Sequence, residues 1–159
     1  MNIIQVKSIE VATNKIDALS EDALDKIIDT FALKQEDLLG HVMQAGMEYE
    51  NEDLNVYSIY YFTVVLESFI EEGVKLKTIT QNDIEEFQEP FLLALDEINK
   101  EEDYTALHEL INQPNLIEFM ALEINSDDQN GDSLDEETKT QLFIVMSSMI
   151  GLLNNAIDK

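Results

Sequence analysis

The most defined ligand spacing in this 159-residue chain lies between positions 126 and 137. With Gly131 placed at the turn glycine of a calcium loop, Ser126, Asp128, Asn130, Asp132 and Glu137 take the first, third, fifth, seventh and twelfth positions. Those are the positions from which an EF-hand-like loop offers oxygen to Ca2+. Two departures weaken the match. Ser126 stands where aspartate is usual, and Ser133 where an apolar residue bridges paired loops. The same segment also reads as a polar Asn-Gly turn ending in a Ser133/Glu136 capping box, which needs no metal.

Other chemistry is harder to place. Bundle metal centres use Glu-x-x-His pairs, but Leu38 and Thr105 stand three residues before the two histidines, His41 and His108. Asp37 and His41, one helical turn apart, would make half a metal site and read more simply as a surface contact. There is no cysteine, no Gly-x-Ser-x-Gly elbow and no glycine-rich phosphate loop, so thiolate, serine-hydrolase and P-loop chemistry have no carrier. The 34 acidic residues offer acid–base pairs everywhere and so single out none. The expectation is a non-enzymatic protein without a cofactor, Ca2+ at 126–137 being the one ligand to test.

Charge is the extreme quantity: 34 acids against nine lysines, no arginine, and a net charge of −25. Without guanidinium groups the chain lacks bidentate phosphate recognition. Its field opposes direct nucleic-acid binding, which depends on lysine and arginine displacing counterions, and favours basic partners and cations. Solubility alone, or adaptation to high salt, would also use such charge. The distribution argues for more. Twelve acids and no lysine lie between Glu101 and Thr138, and nine acids and no lysine between Gln35 and Val74. Like charges three or four residues apart, as at Asp22, Asp25 and Asp29, weaken a helix by a few tenths of a kcal/mol each. Stability alone would intersperse lysine. The residues expected to meet a basic partner are Glu48, Glu50, Glu52, Asp53, Glu101, Glu102, Asp103, Glu109, Glu118, Asp127, Asp128 and Asp132, with Tyr49, Tyr104 or Phe119 as apolar anchors.

The scaffold holding these residues is organised around Leu54–Ile70, whose apolar side chains cover most of a helix's circumference. Such a helix belongs in the middle of a domain or in a bilayer. The stretch is too short for roughly 30 Å of hydrocarbon, and Glu67, Glu71 and Glu72 close it. No membrane association is expected. The segment Leu142–Leu153 is also apolar nearly all round and should pack beside it. Ser20 with Leu19 and Leu24 marks a helix start, and a buried stripe follows at Leu24, Ile27, Ile28 and Phe31. A second helix, from about Gln35 to Glu48, buries Leu38, Leu39, Val42 and Met43. Gly73 suits the end of the central helix. Thr80 and Asp83 form a capping box with an Ile79/Ile84 staple. Pro90 either kinks one helix or opens another. Asp103 caps a short helix, and Pro114 begins the next, with Leu116, Ile117, Met120, Leu122 and Ile124 as its apolar residues. Residues 1–18 fit neither period and read as a helix or an extended arm.

The expected fold is all-α: one domain, residues 1–159, with six to eight helices bundled around a central apolar helix (about 54–72) and an apolar C-terminal helix (about 134–157). The N-terminal MNIIQVKSIEV has no basic segment before a long apolar run, so no signal peptide is expected and the cytoplasm is the default. The expected function is an acidic binding protein that occludes a basic surface of a partner protein, as toxin-immunity proteins and DNA-charge mimics do. The alternative is an assembly protein that oligomerises through its apolar helices, and the third a single-loop calcium binder.

Overall fold

The computed structural model describes residues 2–126 and 134–158, and these form eight α-helices: α1 Val6–Asp17, α2 Glu21–Lys34, α3 Glu36–Glu48, α4 Glu52–Glu71, α5 Gln81–Glu101, α6 Thr105–Ile111, α7 Pro114–Ile124 and α8 Glu136–Asn155. The all-helical bundle matches the reading of the sequence. Among the described residues no helix is long and apolar enough to cross a membrane.

The two apolar helices are the axis. From Tyr61 to Phe69 every residue of α4 is buried, and so is every residue of α8 from Val145 to Leu153. They lie parallel. At one end Asn51 Nδ2 donates to Thr138 Oγ1 at 3.0 Å. At the other Leu76 bridges to Ile157, and Asp158 N–H donates to the Lys75 carbonyl at 2.8 Å. Around this pair, α1 and α3 run antiparallel to α4, while α5, α6 and α7 cover α8. Phe62, Phe69, Leu54, Met120, Leu142 and Met146 are fully enclosed where the layers meet.

Local chemistry explains most boundaries. Ser20 accepts from Ala23 N–H, and Thr80 and Asp83 satisfy each other's backbone reciprocally, as orphan helix donors require. Gly73 takes φ 81° just beyond α4. The ambiguous residues 6–17 are helical because Ile9, Ala12 and Ile16 recur on one face and bury against the axis. Pro90 lies inside the single helix α5 with its ring exposed; losing one N–H on the solvent side leaves a carbonyl that water can serve.

Three expectations need correction. Helix α8 opens at Glu136 with Asp135 as N-cap, its Oδ1 accepting Thr138 N–H at 2.7 Å. The Ser133 capping box therefore does not start the helix, and Ser133 itself lies outside the described residues. Asp103 accepts Thr105 N–H at 3.0 Å, but Tyr104 occupies the N-cap position of α6. In α2 only Phe31 is buried, whereas Leu24, Ile27 and Ile28 are half-exposed because α2 sits on the outside of the bundle.

Two buried glutamines tie the periphery to the axis, a role with no periodic signal in the sequence. Gln35 accepts Ile79 N–H at 2.9 Å and donates to the Lys77 carbonyl at 3.0 Å. Gln113 accepts Ile4 N–H at 2.9 Å and donates to the Asn2 carbonyl and Asn154 Oδ1. Each holds an irregular segment whose backbone would otherwise be buried without partners.

Candidate functional site

Parallel packing of α4 and α8 brings two helix N-termini to one pole. Both first turns are acidic, Glu52 and Asp53 in α4 and Glu136 and Glu137 in α8. Their partial positive ends would repel each other side by side, so negative charge there stabilises the packing, by roughly 0.3–1 kcal/mol per carboxylate. Asn51 accepts Leu54 N–H at 3.1 Å and reaches Thr138 and Gln141 across the seam.

A hollow of about 460 Å³ opens over this seam. Its carboxylates are Glu50, Glu52, Asp53, Asp135 and Glu137, and Tyr49 forms part of the wall. No lysine or histidine is among the described residues that line it. The nearby Lys139 is directed to Glu136, 3.4 Å away. Hydrogen bonds from the Thr138 backbone N–H and hydroxyl hold the Asp135 carboxyl below the usual carboxylate range, so it carries full charge at neutral pH.

Backbone conformation adds a second observation. Glu50 has φ 51° and Glu102 φ 52°, the left-handed region in which glycine is the favoured residue. Both follow helix ends, after α3 and α5. Holding a carboxylate-bearing side chain there costs about 1 kcal/mol relative to glycine. Backbone outliers of this kind motivate a functional hypothesis.

The other expected residues that the structure describes are dispersed. Glu48 is exposed at the end of α3, accepts from Gln44 Nε2 and does not line the hollow. Glu101, Glu102 and Asp103 sit at the α5–α6 corner and Glu109 on α6, all exposed, and none lines the hollow. Thr105 N–H holds the Asp103 carboxyl below its ordinary range. Glu118 faces a separate groove between α1 and α7. Of the expected anchors, Tyr49 reaches the hollow, Tyr104 is exposed beside His108, and Phe119 packs edge-on against Tyr61. Asp135, which completes the hollow, was missed by the sequence reading because its carboxylate lies far along the chain from residues 48–53.

The calcium reading falls largely outside the described residues: Asp128, Asn130 and Asp132 lie there, as does Asp127 of the acids expected to meet a partner. Of its two described ends, the Ser126 hydroxyl donates to the Leu122 carbonyl at 2.7 Å, while Glu137 lines the hollow. Among the described residues no group of three or more acids and histidines is arranged to hold a metal ion. His41 turns away from any Asp37 pairing toward α8, its Nε2 3.3 Å from Ser148 Oγ. Burial lowers its pKa below 6.5, against an opposing pull from Glu48.

No family model matches this chain, and neither a curated protein nor a solved structure shows similarity to it.

Proposed function

We propose that this is a non-enzymatic acidic binding protein that occludes a basic surface of a partner protein, in the manner of an immunity-type inhibitor or a DNA-charge mimic. The observation that carries the reading is the convergence of Glu50, Glu52, Asp53, Asp135 and Glu137 on one hollow with no cation among its described lining residues. Helix-dipole compensation accounts for the first-turn acids. It does not account for Glu50, which precedes α4 and keeps a carboxylate on a left-handed backbone. Tyr49 beside the acids supplies the aromatic contact that turns steered encounter into affinity.

The mechanism is complementary fields followed by local fit. With 34 acids against nine lysines, association with a cationic face is accelerated at low salt and slows as screening shortens to about 10 Å at 0.1 M. Direct nucleic-acid binding is disfavoured by the same field. Capture of basic proteins from lysate at low and high ionic strength, with wild type and a Glu50→Lys/Glu52→Lys/Asp53→Lys variant, tests the proposal. The expected result is salt-sensitive capture that charge reversal abolishes. Capture that ignores salt and charge reversal would refute it.

The assembly alternative has less surface to use. The runs Tyr61–Phe69 of α4 and Val145–Leu153 of α8 are enclosed within the chain, and of the exposed apolar residues Leu92 and Leu93 on α5 are the pair adjacent in sequence. Sedimentation separates the readings, a monomer favouring capture and a defined oligomer favouring assembly.

A further inference from the structure

A groove of about 410 Å³ separates α1 from α7. The N-terminal ends of the two helices are tied together where Asn115 Nδ2 and the Gln113 side chain hold the backbone of Ile4. Beyond that tie Ile9 and Phe119 form a floor, and Val6 and Leu122 form apolar lips that are 55% and 65% exposed. Covering Val6 and Leu122 with an apolar partner would remove their exposed surface from water, a gain in proportion to the apolar area buried.

Charge decides what fits. Glu10 of α1 and Glu118 and Glu123 of α7 border the groove, and no lysine is among the described residues lining it. Of the two lysines in α1, Lys15 is directed to Glu67 and Glu71 of α4, and Lys7 does not line the groove. A trough between two helices with an apolar floor and acidic edges matches an amphipathic helix with apolar residues on one face and lysine or arginine along its flanks. A second copy of this chain would bring acid against acid, given a net charge of −25. An anionic lipid surface would meet the same repulsion.

We infer that the α1–α7 groove is a docking site for a basic amphipathic helix of a partner protein. This rests on the acidic-binding reading and deepens it: the hollow at the α4/α8 pole steers a cationic partner, and the groove supplies apolar recognition of a segment of it.

The test uses the full chain and three synthetic peptides: an amphipathic Leu/Lys helix, a scrambled peptide of the same composition, and a Leu/Glu counterpart. Affinity is read by calorimetry and the site by amide shift mapping. The amphipathic Leu/Lys peptide should bind about ten-fold or more tighter than the scrambled one, with shifts centred on Val6, Glu10, Phe119 and Leu122. Leu122→Ser should erase that preference, Glu10→Lys/Glu118→Lys should weaken binding of both cationic peptides, and Glu52→Lys/Asp53→Lys should leave the preference intact. All of these positions are solvent-exposed, and circular dichroism verifies that the variants fold. Equal binding of both cationic peptides, untouched by Leu122→Ser, overturns the groove while leaving the acidic-binding reading standing. Absence of any salt-sensitive cationic binding overturns both. A dimer abolished by Leu122→Ser, or tighter binding of the Leu/Glu peptide, gives the groove to another occupant and overturns the inference.

Discussion

Replacing Lys15 with methionine should be among the more damaging changes at any half-exposed position. Lys15 Nζ lies 2.7 Å from Glu67 and 3.6 Å from Glu71, and the Glu67 side chain is 4% exposed while that of Lys15 is 48% exposed. Glu67 sits within the buried run of α4, so removing the ammonium strands a carboxylate in the core. Breaking a fully buried pair costs about 3–5 kcal/mol. Because water reaches the outer half of Lys15, about 2–3 kcal/mol is the reasonable expectation here. At roughly 2–4 °C per kcal/mol for a chain of this size, Lys15→Met lowers Tm by roughly 4–12 °C. Glu67→Gln keeps a hydrogen bond from the Lys15 ammonium to an uncharged amide oxygen and should lose about 1 kcal/mol. The double variant Lys15→Met/Glu67→Leu removes the charge with its partner and should return to within about 1 kcal/mol of wild type. Urea unfolding of wild type, Lys15→Met, Glu67→Leu and the Lys15→Met/Glu67→Leu double variant at neutral pH closes the cycle and measures the coupling. The Glu67 hydrogen bond is the main cause that raises the Lys15 pKa above 10.5, with burial opposing it. A raised folded pKa contributes stability that is complete below 10.5 and is lost as pH rises through the folded value. The gap between wild type and Lys15→Met should therefore narrow only in strong alkali. Strict additivity of the two single changes, or a Lys15→Met protein as stable as wild type, would refute the reasoning.

Three further predictions concern backbone, packing and pH. Glu50→Gly and Glu102→Gly each relieve a left-handed glutamate and should stabilise by about 0.5–1 kcal/mol in urea titration, with Glu50→Gly also weakening capture of a basic partner. Gly151→Ala would set a Cβ 2.5 Å from the Phe87 ring and should destabilise by about 1–2 kcal/mol despite better helix propensity. Gly40→Ala, with nothing within 4 Å, should instead gain up to about 1 kcal/mol, and thermal melts of both alanine variants check the two signs. Burial first, then Asp17, raises the Glu123 pKa above 4.5, with a Tyr61 hydrogen bond opposing. A carboxyl raised in this way is stabilising below 4.5 and loses that contribution as pH climbs through its folded value. Glu123→Gln should therefore raise Tm at pH 7 and cease to do so near pH 4.5.

The architecture was legible because its two axial helices announce themselves: Tyr61–Phe69 and Val145–Leu153 are apolar nearly all round, a pattern that suits a domain interior. Helix starts at Ser20 and Thr80 were legible because capping is a local hydrogen bond between residues three apart. What escaped was non-local. Glu67 looked like the polar close of an oily stretch, yet it is buried against Lys15, fifty-two positions earlier. The polar amides Gln35 and Gln113 belong in loops by type and in the core by contact. The acidic pole joins residues 50–53 to 135–137 through the parallel run of α4 and α8, which no spacing rule encodes. Of the expected acids among the described residues, three came together there and the others lie elsewhere, because periodicity gives a face on one helix and not the arrangement between helices.

The parallel axis also constrains how the chain is made. Helix α4 leaves the ribosome long before α8, since everything from Glu71 to Asn155 must follow it, roughly 4–17 s at ordinary elongation rates. Helices α1 and α3, already synthesised, can sheath two of its sides at once. The flank reserved for α8 stays bare and oily until translation is nearly finished. A nascent chain arrested before Gln141 should therefore be a strong client for hydrophobic-binding chaperones, and release should coincide with emergence of the final helix.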